Sequence, residues 1–93
     1  MFGGDIYSHR DSIQVNDAVY NLAYHNEYDD LGYGSYVLFE CDAEGRICKG
    51  VLSEYAGAYY DSDGTLHYDP TANTITIIHH DEPIATYQIP TEN

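Results

Sequence analysis

The run Thr74-Ile75-Thr76-Ile77-Ile78-His79 is the plainest β-strand of the chain. It alternates β-branched side chains on two faces, the period a pleated strand imposes. Asp69-Pro70-Thr71-Ala72-Asn73 leads into it and reads as a turn, because proline fixes φ and asparagine tolerates the left-handed region. Asp81-Glu82-Pro83 breaks the run, and Ile84–Ile89 returns as a last strand. That last strand has Ile84, Thr86 and Gln88 on one face and Ala85, Tyr87 and Ile89 on the other.

Working outward from this hairpin, the same grammar repeats. Thr65–Tyr68 is the strand before the Asp69–Asn73 turn, and Asp61-Ser62-Asp63-Gly64 is the turn before that, with Tyr55–Tyr60 leading in. Tyr36–Cys41, rich in aromatic and β-branched residues, pairs with Arg46–Leu52 across Asp42-Ala43-Glu44-Gly45. Turn signals at this spacing fit a mainly β chain: a small antiparallel meander curled into a barrel or a two-layer sandwich. At 93 residues there is room for one core, so the chain is read as a single compact acidic domain over 1–93.

The N-terminal third admits two readings. Tyr20, Tyr24, Tyr28 and Leu31 lie on one stripe of a helix, with Asn16 or Asp17 as its cap and Gly32 as its end, which gives one short helix. Against it, Glu27, Asp29 and Asp30 crowd the negative end of the helix dipole. The favoured reading pairs Ile13–Val15 with Ala18–Tyr24 across Asn16-Asp17 and leaves an irregular acidic loop from His25 to Gly34. The pattern Ile13-x-Val15-x-Asp17-x-Val19-Tyr20 resembles the opening hairpin of SH3-like barrels in spacing, and assigns no family.

Cys41 and Cys48 are the two cysteines. If Gly45 takes the left-handed position of a type I turn with a bulge, Asp42 pairs with Arg46 and Cys41 opposes Ile47. The thiols then point to opposite faces and stay free, as in a cytoplasmic protein. A register shifted by one residue opposes Cys41 to Cys48 and permits a bridge; the first register is expected.

Charge narrows the partners. Sixteen Asp and Glu against three Lys and Arg give −13 with histidines neutral. Direct nucleic-acid binding is excluded, because phosphate contacts need basic clusters. An anionic membrane surface is equally unsuitable, and no apolar run approaches the ~20 residues of a membrane span. Met1–Asp11 has no basic n-region and no apolar h-region, which reads as no signal peptide. From Gly50 to Asn93 there is no Lys or Arg, while the same stretch holds Glu54, Asp61, Asp63, Asp69, Asp81, Glu82 and Glu92. Thirteen carboxylates lack a basic partner and are expected to face water, since an unpaired buried carboxylate is costly.

Such an imbalance suits a basic protein partner. A globular chain of this length has a radius of gyration of about 12 Å. Over the corresponding protein diameter of roughly 30 Å, duplex DNA carries about 18 charges. The expectation is an acidic binding protein that occupies a basic surface, that of a nucleic-acid-binding protein, as a DNA-mimic inhibitor. Small phage inhibitors, including several anti-CRISPR proteins, act this way as a class; the likeness is in charge and size. The candidate partner-binding residues are Asp29, Asp30, Glu54, Tyr59, Tyr60, Asp61, Asp63, Asp69, Asp81 and Glu82. Eleven tyrosines support a second reading, a protein–protein interaction or structural subunit docking on a sibling chain (a homo-oligomer) through Tyr33, Tyr36, Tyr55, Tyr59 and Tyr60.

Catalytic and metal motifs are weak, so neither an enzyme nor a cofactor is expected. Asp61-Ser62-Asp63-Gly64-Thr65 resembles part of a calcium loop, but Tyr59 and Pro70 stand where ligands are required. His79 and His80 are adjacent and, on a strand, would point to opposite faces. A small metal-binding protein or enzyme using His67, Cys48, Asp69, His79 or Asp61 is the third reading. Gly32-Tyr33-Gly34 lacks the rest of a dinucleotide motif.

Overall fold

A computed structural model describes residues 7–28, 33–58 and 64–90. Seven strands follow one another: β1 (Tyr7–Val15), β2 (Ala18–Tyr28), β3 (Tyr33–Cys41), β4 (Cys48–Ala58), β5 (Thr65–Asp69), β6 (Thr74–His79) and β7 (Glu82–Gln88). They form two antiparallel meanders, a four-stranded sheet in the order β1-β2-β3-β4 and a three-stranded sheet in the order β5-β6-β7. The sheets stack as a sandwich and do not close into a barrel. No helix occurs among the described residues. No helix there is long and apolar enough to cross a membrane.

Strand pairing overrides local propensity in the N-terminal third. Val15 opposes Ala18 across Asn16-Asp17, with Asn16 at φ 57°. A two-residue hairpin needs such a left-handed residue, and asparagine supplies it. The tyrosines at helical spacing sit instead on β2, where Tyr20, Leu22 and Tyr24 face the second sheet. The irregular loop expected from His25 to Gly34 is shorter, because His25 pairs with Ser35, Asn26 with Gly34 and Tyr28 with Tyr33.

The core lies between the sheets. Tyr20, Leu22, Tyr36, Leu38, Ile75 and Ile77 are at most 1% exposed. Leu22, Tyr24, Tyr36 and Ile77 form one cluster; Val15, Tyr20, Leu38 and Ile75 form a second. The rings meet at favourable angles, with Tyr24 edge-on to Tyr36 at 5.4 Å and Tyr36 edge-on to His79 at 5.4 Å. Gly34 and Gly64 have no side chain because tyrosine rings occupy the space: a Cβ would strike Tyr24 at the first and Tyr36 at the second.

Irregularities in register change which side chains reach this core. On β7, Ile77 opposes Ala85 and Ile78 opposes Pro83, so Ile84 is an extra residue. Ile84 and Ala85 therefore both pack on the core despite being neighbours. Pro83 is tolerated because β7 is an edge strand. On β1 the break falls at Arg10, after which Asp11, Ile13 and Val15 share the inner face.

Two expectations need correction here. Cys41 opposes Cys48, and the two are bridged (S–S 2.04 Å, Cα–Cα 4.0 Å). Gly45 does take the left-handed position (φ 73°), but Asp42 N–H donates to Ile47 O rather than pairing Asp42 with Arg46. The Asp42 carboxylate accepts from Arg46 N–H at 2.7 Å, which keeps Arg46 in the loop and moves the register by one. Free thiols thus no longer argue for a cytoplasmic setting. The carboxylates are not all solvated either. Half-buried Asp11 points inward; one oxygen accepts from Ser12 N–H at 2.9 Å and the other from Leu66 N–H on β5 at 2.8 Å. It joins the edges of the two sheets.

Candidate functional site

The sandwich has two ends of different character. At the first lie the β1–β2 turn, the β3–β4 loop and the β5–β6 turn. Asn73 holds this end together. Its φ is 60°, its carbonyl accepts from Ile89 N–H at 3.0 Å and from Gln88 Nε2 at 3.0 Å, and its Nδ2 donates to Ile89 O at 3.3 Å. An open cleft of ≈ 500 Å³ runs between Asn16, Asp17, Tyr20 and Glu40 on one side and Asn73, Ile89 and Pro90 on the other.

Inside this cleft the Tyr20 hydroxyl donates to Glu40 at 2.9 Å. Burial pushes the Tyr20 hydroxyl well above the usual tyrosine range, and the hydrogen bond to the Glu40 carboxylate and its negative charge push the same way. Tyr87, whose ring lies 6.2 Å from that of Tyr20, is raised by burial and then by Glu40. Both shifts favour the neutral phenol, which lets the Tyr20 hydroxyl hold its hydrogen bond to Glu40 in the cleft wall. Glu40 also stands 3.8 Å from Lys49 Nζ. Period-2 reading of Tyr36, Leu38 and Glu40 places all three on the core face, a signal sufficient to find this carboxylate in the sequence.

Three of the five acids at the first end are tied into the fold, while Asp17 and Glu44 are exposed and make no side-chain hydrogen bond or ion pair among the described residues. Asp42 caps Arg46, and Glu40 takes the Tyr20 hydroxyl. Asp69, a candidate binding residue, accepts from Thr71 N–H at 3.0 Å and Ala72 N–H at 3.3 Å. Its role is turn formation.

The second end differs. Here β2 stops at Tyr28, β3 starts at Tyr33, β4 stops at Ala58, and Gly64 precedes β5. The turn between β6 and β7 is also here, with His80 at φ 53° and Asp81 at φ 66°. His80 has therefore left strand geometry, and its ring stacks on His79 at 4.0 Å instead of pointing to the opposite face. Glu54 is half-buried, and Asp81 and Glu82 are exposed. Among the described residues these three make no side-chain hydrogen bond or ion pair. Six candidates, Asp29, Asp30, Tyr59, Tyr60, Asp61 and Asp63, lie outside the described residues. The residues bracketing them (Tyr28 and Tyr33, Ala58 and Gly64) all belong to this end.

Of the five residues of the tyrosine-face reading, the side chains of Tyr33, Tyr55, Tyr59 and Tyr60 lie outside those described. Tyr36, one of its five residues, is fully buried. Every tyrosine whose side chain is described (Tyr20, Tyr24, Tyr36, Tyr68 and Tyr87) packs in or against the core. Among the described residues no three His, Cys, Asp or Glu side chains converge as a metal site. A scan of protein-family models, a search of curated proteins and a search of solved structures each found no match to the chain.

Proposed function

We propose that this protein is an acidic binding protein that occupies the basic surface of a nucleic-acid-binding partner through the Asp81 end of the sandwich. The carrying observation is the state of its carboxylates there. Glu54, Asp81 and Glu82 have no partner among the described residues, and the chain has no Lys or Arg from Gly50 to Asn93 to neutralise them. Acids kept out of the fold's own hydrogen bonding are available to guanidinium and ammonium groups. The length also suits the role. The longest dimension is 45 Å, over which duplex DNA presents about 26 charges. The chain's 16 acids are a comparable number. The partner and the protein are proposed to meet in the cytoplasm.

The test is capture of proteins on the immobilised chain at low and high salt, followed by displacement with duplex DNA. The expected catch is basic, weakens as salt rises and is released by DNA, because exposed charge pairs and long-range steering are screened. Neutralising Glu54, Asp81 and Glu82 together (E54Q, D81N, E82Q) should weaken binding about tenfold, with each exposed pair worth up to ~1 kcal/mol. Affinity indifferent to salt and DNA would refute the proposal.

A further inference from the structure

The β3–β4 hairpin tip departs from the rest of the molecule in charge. Asp42–Lys49 holds two acids, Asp42 and Glu44, and two of the chain's three cations, Arg46 and Lys49. The remainder has 16 − 2 = 14 acids against 3 − 2 = 1 base. Both cations lie within two residues of Cys48, and both are exposed, Lys49 at 74%. With Glu40, which lies 3.8 Å from Lys49, the local balance is three acids to two cations, so an anionic reactant meets far less repulsion here than elsewhere.

The disulfide at this tip is asymmetric. Cys41 is 3% exposed, whereas Cys48 is exposed. A depression of ≈ 280 Å³ lined by Glu40, Asp42, Ile47 and Lys49 opens beside the bond. Ile47 on its rim is 76% exposed. On the buried side, Asn21 Nδ2 lies 3.2 Å from Cys41 Sγ with an N–H to donate. Burial disfavours a thiolate, and a donor aimed at that sulfur offsets the cost.

We propose that the Cys41–Cys48 bond is an exchange site at which an anionic low-molecular-weight thiol attacks Cys48 and expels Cys41. The incoming thiolate forms a bond to Cys48 Sγ. The Cys41–Cys48 bond breaks, and its electron pair leaves on Cys41 Sγ, beside the Asn21 amide. One thiolate is consumed and one is produced. A second thiolate of the same class attacks the mixed disulfide at the small-molecule sulfur. It releases the small-molecule disulfide and the Cys48 thiolate, so two thiols supply the two electrons. Arg46 and Lys49 attract the reactant, the depression seats it, and Asn21 stabilises the leaving group.

Glutathione is the probe, with 2-mercaptoethanol as a control that carries no charge beyond its thiolate. After brief exposure and alkylation, peptide mass spectrometry should find the glutathione adduct on Cys48 and the alkyl group on Cys41. The double variant R46Q/K49Q, altered at exposed positions only, should react about fivefold more slowly with glutathione, since two unit charges at ~8 Å in water are together worth that factor. The slowing with 2-mercaptoethanol, whose attacking thiolate carries one negative charge against glutathione's two, should be distinctly smaller. Asn21→Ala should slow both thiols together. Adducts on Cys41, a bond inert to glutathione, or equal slowing of both thiols in the double variant would each overturn the proposal. None of these outcomes depends on a protein partner.

Discussion

The Asn73 end and the Asp81 end of the sandwich differ in the share of their carboxylates that the fold employs: three of five at the first, with Asp17 and Glu44 unbonded, and none of the described three at the second. At the Asn73 end, Glu40, Asp42 and Asp69 each accept hydrogen bonds that close a turn or order a cleft. At the Asp81 end, Glu54, Asp81 and Glu82 contribute none among the described residues. An excess of negative charge is therefore not one property of this molecule. Part of it is structural and part is left over for solvent or a partner, and only the second part is informative about binding.

The strongest challenge to this contrast is the core beneath each end. Ile75 belongs to the cluster under the Asn73 end and Ile77 to the cluster under the Asp81 end, and both are fully buried. Ile75→Ala and Ile77→Ala should each cost about 2–5 kcal/mol in denaturant unfolding. Similar costs with one cooperative transition would mean that the ends differ in surface chemistry and not in stability. Separate transitions would break the comparison.

Alkali should act on one end selectively. The Tyr20 hydroxyl titrates higher in the folded chain than the ordinary tyrosine value of 10.0. The folded state thus holds more protons than the unfolded state above that pH. The stabilisation is complete below pH 10 and is lost as pH rises through the folded value, at up to about 1.4 kcal/mol per pH unit. Unfolding followed across this range should show the fall, and Tyr20→Phe should lessen it. A wild-type curve flat above pH 10 would contradict the assignment.

The smallest effects sharpen the contrast most. Asp42→Ala and Asp69→Ala should each cost about 1 kcal/mol by stranding backbone donors at exposed turns. Asp81→Asn, which keeps a residue tolerant of the left-handed backbone, and Glu82→Ala should stay within about ±0.5 kcal/mol. Thermal melts of the four variants would check this. Equal losses at both ends would show that the leftover acids are structural after all.

Much of the fold was legible because local chemistry and tertiary pairing agreed. Thr74–His79 alternates as a strand, and Asn16 and Asn73 sit where left-handed backbone is needed. What escaped notice has its cause at long range or in a single side chain. Asp11 turns inward because its acceptor role is completed by Leu66, 55 residues away. The cysteine register turns on Asp42 capping Arg46, while Gly45 satisfies either alternative. Asn26–Tyr28 is polar enough for a loop but is extended by its partners on β3. The candidate site was legible only as charge. Composition reports how many carboxylates exist and is silent about which ones the backbone already employs.

Pro83 has a consequence for the company the protein keeps. An unclosed sandwich exposes strand borders, and a border with a full row of amide donors invites another polypeptide to add itself there. Proline has no such donor, and on β7 it interrupts the row beside an extra residue, Ile84. Fibre-like stacking of copies along that margin is thereby discouraged.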